Sequence, residues 1–195
     1  MTRTYNGGIA SYAIWLPEFT KFVELYEDGK SIAEIKQLSD DENIFQMSTP
    51  ARARRCSRNL ALRIKKLPDS IVDLYPRLNP VNQNLVALIS VMLTSRILDE
   101  FIYEVYRPKA IIHNDTLQDY EIEAFFNNKR IESDTVANWS LKTIKRLKGA
   151  VKTYLRDAGL MTADNKLLFP FIDSQLVLLM KKEGLDYELA ALGGI

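Results

Sequence analysis

At 195 residues the chain is sized for one domain, or for two small ones around a shared core. Its 47% apolar and 26% charged composition excludes a disordered chain, and its single cysteine, Cys56, excludes an internal disulfide and points to a reducing compartment. A formal net charge of +1 is too small to mark a polyanion-binding protein, so any such role must lie in how the charge is distributed.

Met1–Gly8 carries no apolar run of signal-peptide type. Pro17, Pro50 and Pro80 each open an amphipathic run, and Gly29, Gly159 and Gly184 each close one. Ser31 and Glu34 have capping-box spacing ahead of Ile35 and Leu38. These signals predict helices over 17–28, 31–39, 50–66, 69–75, 80–106, 118–129, 132–138, 140–157, 174–183 and 186–192. Within 80–106, Leu85–Leu93 is apolar on all sides apart from Ser90 and reads as a buried central helix. It is far shorter than the roughly 20 residues of a membrane span, so a cytoplasmic protein with no membrane partner is expected. Arg107-Pro108 is expected to end the long helix. A soft boundary falls near His113–Asp115, dividing regions 1–112 and 113–195 that share a core. The one β signal is Lys166–Phe169, a candidate short hairpin with Leu160–Thr162. The fold class is therefore all-α, a compact helical bundle.

Two helices carry the informative charge. Between Ser48 and Pro68 there is no acidic residue, while Arg52, Arg54, Arg55, Arg58, Arg63, Lys65 and Lys66 are basic. At about 100° per residue, Ala53, Cys56, Leu60, Ile64 and Leu67 form a narrow apolar seam and the cations cover most of the rest. Guanidinium groups hold phosphate in two-point geometry and can read guanine. The competing reading is that the acidic segment Glu18–Glu42 neutralises them, or that they form an ordinary solvated face. In the second helix, Leu141, Ile144, Leu147, Val151, Tyr154 and Leu155 share one side, opposite Lys142, Lys145, Arg146, Lys152 and Arg156. Glu132–Asn138 precedes it closely, with Trp139 at the corner and Ser140 as N-cap. That spacing suits a helix-turn-helix with the hairpin as a wing, although ordinary packing helices share it.

No chemistry-bearing constellation appears. The chain has no Gly-rich phosphate loop, and the lone His113 excludes His-based triads and multi-His metal sites. Cys56 sits on the apolar seam, and Asp40-Asp41-Glu42 reads as a solvated loop. No enzyme activity, cofactor, metal or small-molecule substrate is expected.

Glu42-Asn-Ile-Phe45, the arginine helix after it, Glu104…Arg107-Pro-Lys109, and Trp139-Ser140…Thr143 leading to Leu155…Gly159-Leu160 together resemble the BrxA family of BREX (bacteriophage exclusion) defence systems. The resemblance covers roughly residues 5–160 and lies in the order and spacing of these segments. It implies a small non-catalytic component that binds nucleic acid in company with other BREX proteins, in a fold similar to the RNA-binding antitermination factor NusB. The basic residues come from the helical wheel and not from the family. Duplex DNA is the expected partner, since no aromatic side chain lies within either basic face. An adaptor docking on acidic protein partners, and an RNA-binding protein, are the alternatives.

Overall fold

The computed structural model describes residues 3–194. Its α-helices are α1 (Leu16–Glu27), α2 (Ile32–Glu42), α3 (Pro50–Ile64), α4 (Asp69–Leu74), α5 (Pro80–Met92), α6 (Arg96–Phe101), α7 (Arg107–Ile112), α8 (Asp119–Glu132), α9 (Asp134–Ala137), α10 (Leu141–Asp157), α11 (Ser174–Lys182) and α12 (Asp186–Ala191). Local chemistry sets most of their ends. Pro50 and Pro80 are the first residues of α3 and α5, behind Thr49 and Asn79, whose side chains accept from the Arg52 and Asn82 amides at 3.2 and 3.0 Å. Ser31 and Glu34 cap α2 reciprocally. Gly159, at φ 76°, closes α10 in a Schellman turn: the Leu160 amide reaches the Leu155 carbonyl at 2.8 Å, and the Gly159 amide reaches Arg156 at 3.0 Å.

The predicted 80–106 helix is two helices. It breaks at Leu93–Ser95, where the Thr94 hydroxyl bonds back to the Ser90 and Val91 carbonyls and the chain turns. It then continues where it was expected to stop. A π-helical turn, Ile102–Tyr106, joins α6 directly to α7, and Pro108 lies in the first turn of α7. The wider π register leaves room for the proline ring and asks for no N–H at that position. The hairpin is reduced to single bridges, Met161 to Leu167 and Thr116 to Lys166, and no strand forms among the described residues. Two strands this short, with no third to pack on, are marginal. The predicted helix at 132–138 shrinks to the single turn of α9.

One buried cluster runs from Tyr5 to Leu192, with Leu85–Met92 of α5 buried at its centre as the apolar run predicts. Among the described residues, no helix is long and apolar enough to cross a membrane. Lys129 of α8 is buried beside Glu100, Glu104 and Glu132, at 3.1, 2.6 and 2.9 Å, and so locks α8 onto the α6–α7 helix. Ahead of α1, residues 5–14 form a strap across the surface. It is moored at its start by Arg3 on Asp99 and by the Tyr5 hydroxyl on Glu100 at 2.6 Å.

Candidate nucleic-acid interface

The seam of α3 is buried as its periodicity requires: Ala53, Cys56, Leu60 and Ile64 are 0–3% exposed. Arg52, Arg54, Arg55 and Arg58 are exposed on the other side, with Lys65 and Lys66 just past the helix end. Among the described residues none of these six forms an ion pair, so the carboxylates of the 18–42 segment do not neutralise them. Arg52 donates to Ser48 Oγ at 2.9 Å. Arg55 donates to the Ser11 carbonyl at 2.6 Å, with its guanidinium 5.4 Å from the Tyr12 ring.

Arg63 does not belong to this face. It is 1% exposed and donates to Ser90 Oγ, the Ile14 carbonyl and the Ala87 carbonyl at 2.9, 2.7 and 3.0 Å. Its guanidinium also lies 4.9 Å from the Phe19 ring. Burial lowers its pKa to about 10, which still leaves it charged at neutral pH. It ties α3 to α5 and to the segment before α1. The helical wheel placed it among the cations because its position lies at the margin of the seam, where a long side chain can turn inward.

α10 is amphipathic as predicted, with Ile144, Leu147, Val151, Tyr154 and Leu155 buried. Leu141, expected on the buried side, is 79% exposed at the helix start, beyond the reach of the core. Several of the cations are occupied. Lys152 pairs with Asp119, holding that carboxyl below its usual range, and Lys148 pairs with Glu123. Arg156 donates to Asn165 Oδ1 at 2.6 Å, and Arg146 to the Ala10 carbonyl at 2.8 Å. Lys142 and Lys145 are exposed.

The strap joins the two basic helices. Arg146 takes the Ala10 carbonyl, Arg55 that of Ser11, the Tyr154 hydroxyl that of Tyr12 at 3.2 Å, and Arg63 that of Ile14. Arg55 and Arg146 therefore sit on consecutive carbonyls of one turn. Lys65 and Lys66 do not join them, because they lie roughly 15 Å from Arg55 along the helix at 1.5 Å per residue. Beside α3 the strap encloses an open groove of about 790 Å³. Arg54, Arg55 and Arg58 line it, with Asn59 next to them, and among the described residues no carboxylate does. Across it stand Asn6 and Tyr12 of the strap and Ser95 after α5. Sequence reasoning missed these last residues. Tyr12 precedes Arg55 by more than forty positions, and no local pattern links them.

The remaining candidates have structural settings. Cys56 is fully buried, and burial pushes its thiol up to about 12, away from any nucleophilic role. His113 caps α7 in left-handed conformation with its ring edge-on to Phe169. Among the described residues no group of three or more His, Cys, Asp or Glu is placed to hold a metal ion.

The sequence profile of the BrxA family matches residues 3–184. The chain belongs to the BrxA family. It is also similar to a protein of Bacillus cereus (strain H3081.97) called "BREX protein BrxA", at 29% identity over 157 residues, covering 80% of this chain and 78% of that one. Its fold is that of an uncharacterized protein from Magnetospirillum magneticum, known from a crystal structure, with a TM-score of 0.77 and 17% identity over 97% of this chain and 98% of that chain. The segments that carry the BrxA resemblance build the fold here. In Glu42–Phe45, Asn43 ends α2 in left-handed conformation and bonds both the amide and the carbonyl of Met47, while Phe45 stacks on Phe22. Glu104 holds Lys129, and Lys109 reaches Glu121 at 2.7 Å. Ser140 caps the start of α10, and Gly159 follows its C-cap Ala158 in the left-handed turn that closes it.

Proposed function

We propose that this BrxA-family chain is a non-catalytic DNA-binding component of a BREX phage-defence system. In this reading the exposed cations of α3 grip the phosphate backbone, and those of α10 that remain free assist. The observation that carries it is the set Arg52, Arg54, Arg55 and Arg58, exposed and, among the described residues, without carboxylate partners, with Arg54, Arg55 and Arg58 facing a groove that no carboxylate of those residues lines. Unpaired arginines packed this densely repel one another, and a polyanion relieves that repulsion. Binding should be weakly sequence-specific, because phosphate contacts position a protein without reading bases. The test is a mobility-shift comparison of duplex DNA, single-stranded DNA and structured RNA across salt concentrations. With about four to six engaged cations, log affinity should fall against log salt with a slope of roughly −4 to −5. Tighter binding to structured RNA would favour a NusB-like role instead.

An adaptor role is the second reading, favoured by a separate observation. Ile111, Phe171 and Leu178 are 58%, 82% and 68% exposed around an apolar groove of about 940 Å³ between the C-terminal end of α7 and α11. Such a face is larger than isolated surface residues explain and suits another protein of the defence system. No binding to any nucleic acid at about 50 mM salt would select the adaptor role over the first reading.

A further inference from the structure

We infer that the groove between α3 and the strap is a seat for one unpaired nucleotide of a DNA strand, with its phosphate on Arg54 and Arg58 and its base against Tyr12. The inference rests on the reading of α3 as a DNA-binding helix and names the ligand of its groove. Arg54 and Arg58 are one helical turn apart, so their side chains start about 5–6 Å from each other and can converge on one phosphate. Tyr12 is 37% exposed on the groove, and its ring is already backed by the Arg55 guanidinium and by Trp15 at 6.0 Å. Gly8 permits this placement: a Cβ there would come within 3.2 Å of the Tyr12 ring.

The polar wall is unfinished. Ser95 lines the groove and is 3% exposed, and its Oγ has no hydrogen-bond partner among the described residues. It occupies the N-cap position of α6 without capping it. A buried hydroxyl left unpaired is costly, and a polar atom of a bound ligand would satisfy it. Asn59, half-exposed beside Arg58, offers the paired donor and acceptor that a base edge requires. At about 790 Å³ the groove lies within the range of small-ligand sites, roughly 300–1,000 Å³.

This combination separates an unpaired base from a paired one. In a duplex the faces of the bases are covered by their neighbours, so an aromatic ring set into a groove cannot stack on them. A strand end, a gap or an extruded nucleotide presents a free face.

The experiment compares, by fluorescence anisotropy with the full chain, a blunt duplex and the same duplex carrying a short single-stranded thymidine tail. The tailed duplex should bind about tenfold more tightly, the scale expected of one stacked base. Tyr12→Ala should abolish that preference, whereas Tyr12→Phe should keep it. Tyr12→Leu, which retains bulk but not the aromatic face, should behave like Tyr12→Ala and serves if the smaller variant fails to fold. In a Trp139→Phe variant, where Trp15 is the one tryptophan left, the tailed duplex should also quench the fluorescence more than the blunt one. Equal binding of tailed and blunt duplexes, or a tail preference that survives Tyr12→Leu, overturns the nucleotide seat and leaves the DNA-binding reading standing. Failure to bind either duplex overturns both.

Discussion

α3 and α10 have nearly the same helical wheel, a buried apolar seam opposite a row of cations, but they lie in different surroundings. Beside α10 stand Asp119 and Glu123 of α8, the Asn165 side chain and the Ala10 carbonyl, and these occupy Lys152, Lys148, Arg156 and Arg146. Among the described residues the exposed cations of α3 meet only Ser48, the strap and solvent. A paired cation must give up its partner before it can meet a phosphate, whereas an unpaired one gains the whole contact. The number of charges on a helix is thus a property of the helix, and the number on offer is a property of its neighbours.

The largest effect should come from the arginine that left the face. Arg63→Ala removes a wholly buried side chain and its three hydrogen bonds at a cost of about 3 kcal/mol. In a chain of this size that lowers the melting temperature by roughly 10 °C. Arg54→Ala, at an exposed position, should move it by less than about 2 °C. Similar melting of the two variants would place Arg63 back among the surface cations.

Next is the direct contest between the two helices. Arg54→Glu with Arg58→Glu should weaken duplex binding about 100-fold at low salt, and Lys145→Glu with Arg146→Glu only about fivefold. Both pairs should keep the helical far-UV spectrum. The opposite ranking would make α10, with the single turn of α9 before it, the element that enters the DNA groove.

The smallest effect is also the sharpest test of the neighbour argument. Asp119→Asn with Glu123→Gln frees Lys152 and Lys148 without touching a cation. Duplex affinity should rise about threefold at low salt and return to the wild-type value at high salt. The melting temperature should barely change, because exposed ion pairs are worth about 0–1 kcal/mol, and Asp119 is 87% exposed. Unchanged affinity would mean that α10 does not face the DNA.

Much of the fold was legible residue by residue. Pro50, Pro80, Ser31, Ser140 and Gly159 act through their own backbone geometry or through partners within five positions, so they mark helix ends without knowledge of the tertiary structure. The buried seams of α3 and α10 follow from the 3.6-residue period alone. Pro108 was misread because a proline ends a helix only while the α register persists, and here a π turn, Ile102–Tyr106, precedes it.

By itself, then, the sequence determined the all-α class, most helix ends, the identity of the core and the existence of two cationic helices. Each of those depends on contacts along a single helix, which periodicity and capping residues express. The tertiary structure decided that Arg63 points inward, that carboxylates and carbonyl oxygens claim four of α10's six cations, and that Tyr12 and Ser95 come to line the arginine groove. Those outcomes depend on contacts across tens of residues, and no local pattern records which segments will meet.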